Sequence, residues 1–134
     1  MGRNLKGLAI LGSTGSVGTQ TLDVVRLFPN IFDVVGLAAH RNLERLGAQI
    51  AEFEPKYFAC EGMPQQLERL GQFGSQPLSM LDMAIHPEVD LLVTATVRDV
   101  ALVPTIAAIE AGKDVAIANK AVSYTHLRAH ETDS

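Results

Sequence analysis

The hydrophobic pattern along the chain alternates between two kinds of segment. Short, mainly apolar runs recur at Leu8–Leu11, Phe32–Ala38, Tyr57–Cys60, Val89–Ala95 and Asp114–Ile117. Runs of that length, bounded by turn residues, predict strands, with Leu8–Leu11 and Val89–Ala95 read as buried ones. Between them the apolar positions space out to a helical period. Val17, Thr21, Val24, Val25 and Phe28 recur at i, i+4, i+7, i+8 and i+11, ending at Pro29, which predicts one helix face. Asn42 is placed to cap a second helix with Leu43, Leu46, Ile50 and Phe53 on one side. Residues 64–80 carry a mixed pattern, read as a short helix over Gln65–Leu70 and a brief strand near Pro77. Pro104–Ala111 reads as a helix with proline in its first turn and Gly112 just past its end. Strands apolar on both faces and separated by helices predict an α/β fold: a Rossmann-like, doubly wound, mainly parallel sheet, incomplete at its C-terminal end.

The first strand runs into "LGSTGSVG", which opens the first helix. In a doubly wound sheet, ligands sit beyond the carboxyl ends of the strands, where this loop falls. Glycines let backbone N–H groups approach an anion, and the helix adds its unpaired N–H groups and positive dipole end. Ser13, Thr14 and Ser16 add hydroxyl donors without bulk. The spacing is G-x-x-G-x-x-G, departing from the strict G-x-G-x-x-G of many NAD sites, and the G-K-[ST] ending of a P-loop is absent. The expectation is a dinucleotide phosphate cradle; the competing reading is a tight strand-to-helix turn without a ligand.

NAD sites usually place an acid at the end of the second strand, against the ribose hydroxyls. Here that end reads Ala38, Ala39, His40, Arg41, Asn42, without an acid. A carboxylate would repel a 2′-phosphate, whereas Arg41 can grip one with paired, charge-assisted hydrogen bonds. Asn42 serves either as a ligand contact or as a helix cap. NADP(H) is therefore expected over NAD(H).

Bulk properties narrow the class. With 134 residues, 47% hydrophobic and 19% charged, the chain is one globular domain. A net charge of −4 gives no electrostatic case for nucleic acid. No apolar run approaches the roughly 20 residues of a membrane span, and no signal-peptide core precedes the first strand. Cys60 is the single cysteine, which fits a reducing compartment. It reads as a small core hydrophobe, and His86 as an exposed residue at a helix end.

The stretches "AILGSTGSVGTQTLDVV", "AAHRN" and "LVPTIAAIEAGKDVAIANK" resemble the N-terminal domain of the 1-deoxy-D-xylulose 5-phosphate reductoisomerase family, from about Leu5 to Lys120. The resemblance implies the NADPH-binding part of an oxidoreductase and isomerase of the non-mevalonate isoprenoid pathway. Such an enzyme rearranges its sugar-phosphate substrate and reduces the product to 2-C-methyl-D-erythritol 4-phosphate. It also implies a divalent metal (Mg²⁺ or Mn²⁺), a homodimer and a cytoplasmic or plastid location. By position, Thr14, Gly15, Ser16 and Val17 match the family's cofactor loop. His40, Arg41 and Asn42 match the stretch near the adenosine ribose, with His40 where some members have glycine. Asn119 matches a cofactor contact and Lys120 a substrate contact. Two departures stand out: Ala121 replaces the family's Glu, and Arg98 and Ala101 stand where many relatives have glycine.

After Lys120 the resemblance stops. "VSYTHLRAHET" looks like one reading frame of a sequencing-library transposase adapter. Ala121 then reads as a hybrid codon, the G of a native Glu codon followed by the adapter's CT. The expected organisation is an NADP-binding domain over residues 1–121 and a foreign tail over residues 122–134. On this reading His126, His130 and Glu131 are no metal site, and no catalytic or metal-ligating residue of the family falls within the chain. The fragment alone is expected to be inactive. The alternatives are another NADP-dependent dehydrogenase of the aspartate-semialdehyde type, for which Cys60 stands too early in the chain, and a non-catalytic NADP-sensing module, which would lack a substrate lysine.

Overall fold

The computed structural model describes residues 5–62, 64–96 and 98–118. Strand β1 (Lys6–Leu11) lies inside a six-stranded sheet with β2 (Phe32–Ala38), β3 (Tyr57–Ala59), β4 (Gln76–Pro77), β5 (Leu91–Thr94) and β6 (Asp114–Ile117). The spatial order is β4-β3-β2-β1-β5-β6, and every neighbouring pair is parallel. The chain lays strands outward from β1 to β4, then crosses back to place β5 on the other side of β1. Strand order thus reverses between β1 and β5, which opens a crevice at their carboxyl ends.

The alternation along β1 shows why both faces are covered. Leu8 and Ile10 enter one apolar cluster, with Leu22 and Val25 from helix α1 (Ser16–Leu27) and Leu46 and Ile50 from α2 (Leu43–Phe53). Ala9 and Leu11 enter the other, with Met83 and Ala84 from α4 (Met80–Ala84) and Ala108 from α5 (Leu102–Glu110). Helix α3 (Pro64–Leu70) adds Leu70 to the first cluster. Each fully buried Leu or Ile contributes on the order of 1.5–3 kcal/mol. The two-faced burial of β1 is therefore a main source of the fold's stability.

Three features differ from the sequence pattern. The inward face of α1 is Gly18, Leu22 and Val25, while Val24 and Phe28 are exposed. The face read from Val17 and Thr21 is off by one position, because Gly18 packs on the backbone of the loop after β1 and carries no side chain to mark the inward side. Helix α4 was missed altogether: five residues are too few for a period to show, and its start depends on Ser79, whose Oγ accepts from the Asp82 N–H. Strand β5 is shorter than the Val89–Ala95 run, because Val89 closes the preceding turn, its N–H donating to the His86 carbonyl at 3.0 Å. Its neighbour Asp90 accepts the Gly7 N–H through its side chain at 2.8 Å. The remaining elements follow the pattern closely, β2 and β6 with the same bounds.

Candidate nucleotide site

The loop after β1 is held from beneath. Both Gly12 and Ser13 donate their N–H groups to the Ala38 carbonyl at the end of β2, at 2.8 and 2.9 Å. Gln49 of α2 donates its side-chain amide to the Ser13 carbonyl at 2.9 Å, and Arg45 approaches the Thr14 carbonyl at 3.3 Å. Gly12 adopts φ +90°, and a Cβ there would lie 2.9 Å from the Thr96 Cβ. At Gly18 a Cβ would come within 2.2 Å of the Gly12 carbonyl oxygen, so helix and loop touch backbone to backbone.

Gly15 is different. Its φ is −79°, open to any residue, and the nearest atom to a Cβ there would be 3.7 Å away. Neither dihedral nor packing requires glycine at this position. What its missing side chain provides is open access to the start of α1. There Thr19 makes the first intrahelical bond, to the Gly15 carbonyl, so Ser16, Val17 and Gly18 have no intrahelical acceptor. No side chain caps this end, whereas Asn42 Oδ1 accepts from Arg45 N–H at the start of α2. An uncapped helix start with an open glycine in front of it fits an anion.

The structure sorts the residues singled out in the sequence. Thr14, Gly15, Ser16 and Val17 gather at this helix mouth, with Gly15 and Ser16 exposed. Ser13 does not contribute a hydroxyl: it is fully buried beneath the loop, where its Oγ has no hydrogen-bond partner. Arg41 is exposed at the end of β2 and makes no ion pair among the described residues. Asn42 is the cap of α2, so its side chain is already engaged. Asn119 and Lys120 lie outside the described residues, as do Ala121 and residues 122–134. Cys60 follows β3, half-buried against the first apolar cluster, and burial pushes its thiol up. His86 is half-buried rather than exposed, tilted against the Tyr57 ring at 5.0 Å between centroids.

Beside the helix mouth a cleft of about 460 Å³ crosses the carboxyl ends of the strands. Its floor and walls are mainly apolar, from Ala38, Ala39, Phe58, Leu78 and Met80, and His40, Glu61 and Arg98 stand on its lining. Glu61 was missed in the sequence. It follows β3 by two residues, and the parallel pairing of β2 with β3 carries it to the end of β2. Its N–H donates to the His40 carbonyl at 3.1 Å, and its Oε2 lies 3.2 Å from His40 Nδ1, without the alignment of a hydrogen bond. The signal that could have found it is the strand order, because sequence distance hides a neighbour that the sheet supplies.

The sequence profile of the 1-deoxy-D-xylulose 5-phosphate reductoisomerase family matches residues 8–122. The chain belongs to this family. It is 46% identical over 125 residues to the reductoisomerase of Thermosynechococcus vestitus and 43% identical to that of Nostoc punctiforme. Each alignment covers 87% of this chain, but only 30% and 31% of those reductoisomerases. The chain thus spans about a third of the length of the curated relatives it matches. Among solved structures, it is similar to the Zymomonas mobilis reductoisomerase in complex with NADPH, with TM-score 0.76, 26% identity and coverage of 87% and 32% of the two chains. A reductoisomerase in complex with NADPH, fosmidomycin and magnesium gives TM-score 0.77 and 33% identity, over 87% of this chain and 30% of that one.

Proposed function

We propose that the chain is the NADPH-binding part of an enzyme that converts 1-deoxy-D-xylulose 5-phosphate to 2-C-methyl-D-erythritol 4-phosphate. The observation that carries this reading is the open, uncapped start of α1 behind Gly15, in a member of this family. The residues present fit the cofactor. Thr14, Gly15, Ser16 and Val17 would receive the pyrophosphate on backbone N–H groups, and Arg41 would take the 2′-phosphate. His40 and Asn42 would flank the adenosine ribose, Asn42 through the amide atoms not used in capping. When bound, NADPH supplies the hydride for the reductive step. Asn119 would contact the cofactor and Lys120 the sugar-phosphate substrate.

The divalent metal, Mg²⁺ or Mn²⁺, would be held by parts of the enzyme beyond this chain, so the chain alone would bind cofactor without turnover. Residues 122–134 would be an appended, foreign tail, which the underlying nucleotides would test directly. A cytoplasmic homodimer is the expected form of the complete enzyme. No helix among the described residues is long and apolar enough to cross a membrane.

The test is calorimetric titration of the chain with NADPH and with NADH. NADPH should bind more tightly, and Arg41→Ala should weaken NADPH roughly tenfold or more while sparing NADH, the scale of a lost charge-assisted hydrogen bond. Tighter NADH binding, or no binding of either, would overturn the reading.

A further inference from the structure

An acid at the end of the second strand usually accepts hydrogen bonds from a ribose and disfavours a 2′-phosphate. In this fold Glu61 supplies such an acid from the neighbouring strand. It is tied to the end of β2 by its N–H bond to the His40 carbonyl, and its side chain stands on the cleft. Left alone, that carboxylate would work against the NADPH preference proposed above.

It is not left alone. Arg98 reaches it from the opposite wall, in the loop that follows β5, with Nη2 3.9 Å from Glu61 Oε2. The same carboxylate oxygen meets His40 Nδ1 at 3.2 Å. Arg98 is set by its own backbone, whose N–H donates to Thr96 Oγ1 at 3.2 Å ahead of the short turn Asp99–Ala101. A guanidinium stays charged at any working pH, so its compensation of Glu61 is permanent. At 3.9 Å the contact is an ion pair without a hydrogen bond, which leaves the guanidinium donors free to face the cleft.

The geometry points to Arg98 as a specificity-determining residue: it offsets Glu61 across the cleft and keeps the site receptive to a 2′-phosphorylated adenosine. This rests on the proposed cofactor reading and adds to it a residue that stands where many relatives have glycine. Arg41 and Arg98 then have different tasks. The first meets the extra phosphate, and the second cancels the acid beside it.

Calorimetric titration of the chain with 2′,5′-ADP and with 5′-AMP tests this, because the two probes differ at the 2′ position without involving the nicotinamide end. Arg98→Ala should weaken 2′,5′-ADP roughly fivefold, the scale of a half-exposed charge pair, and leave 5′-AMP nearly unchanged. Glu61→Gln should tighten 2′,5′-ADP. The double variant should bind it at least as well as the parent, since no acid remains to be offset. The Arg98→Ala effect should also shrink as salt rises, which a merely structural role would not do. Circular dichroism on each variant shows that it is folded. An unchanged probe ratio in Arg98→Ala overturns the inference, as does a double variant as weak as Arg98→Ala alone. If the parent binds neither probe, the cofactor reading itself falls, and this inference with it.

Discussion

Gln49 donates its side-chain amide to the Ser13 carbonyl at 2.9 Å, and both residues are buried. This bond joins the middle of α2 to the underside of the glycine loop, so α2 fixes the loop's height. Gln49→Leu keeps the bulk and removes the donor, stranding a buried carbonyl. The expected loss is about 1–3 kcal/mol of stability, the usual cost of an unsatisfied buried group. Thermal unfolding would read it as a lower Tm. NADPH titration should show weaker binding in the same variant, because the loop loses its support.

Cys60 lines the cleft, and burial holds its thiol above the usual cysteine range. A raised value means little thiolate at neutral pH, and thiolate is the reactive form. Iodoacetamide should therefore label this residue slowly at pH 7 and faster in more alkaline solution. Saturating NADPH should slow the labelling further if the nucleotide occupies the cleft. Rapid labelling at pH 7, measured by intact mass, would contradict both the burial and the sense of the shift.

Much of this architecture is legible in the order of residues, and the exceptions share a cause. Strands β2 and β6 and helix α2 could be read directly, because an apolar run, an Asn42 cap and a helical period each report on local chemistry. The open strand-to-helix loop was legible because glycines, a preceding strand and a following helix are contiguous. What escaped depends on neighbours that only the sheet brings together. Glu61 joins the end of β2 through strand pairing, and Ser13 turns under its loop because Ala38 holds its N–H. The inward face of α1 was misplaced for a related reason: Gly18 packs on backbone and carries no hydrophobic side chain to announce it.

Arg26 of α1 joins Glu52 of α2 through paired hydrogen bonds and also meets Asp23. The Arg26 hydrogen bond, helped by its charge, lowers the Glu52 carboxyl below its ordinary value against the opposing effect of burial. A carboxyl lowered on folding stabilises the protein above its unfolded value, about 4.3 for glutamate. That contribution disappears as pH falls through the lower folded value. Glu52→Gln should therefore lower Tm at pH 7 and leave it nearly equal to the parent's at strongly acidic pH. The pair is well exposed, so the difference should be small and should shrink in high salt. A Tm gap that persists unchanged into strong acid would mean that Glu52 acts through packing rather than charge.

Gly15 and Gly18 stand three residues apart and should respond to the same substitution in opposite ways. Gly18→Ala places a methyl about where the Gly12 carbonyl oxygen and Ser13 backbone already are, within 2.2 and 2.6 Å. Neither neighbour is a flexible side-chain end, so helix or loop must move. The cost should be at least about 1–3 kcal/mol, visible as a clear fall in Tm. Gly15→Ala meets nothing closer than 3.7 Å and keeps an ordinary backbone dihedral. Its effect on stability should stay within about 1 kcal/mol, the difference between helix-cap residues. NADPH affinity should nonetheless fall, because the methyl stands in front of the Ser16 and Val17 N–H groups where the pyrophosphate would lie. A stable Gly15→Ala variant that binds NADPH as the parent does would mean that the phosphate is held elsewhere. A Gly15→Ala variant that unfolds would mean that the glycine serves the turn and not the ligand.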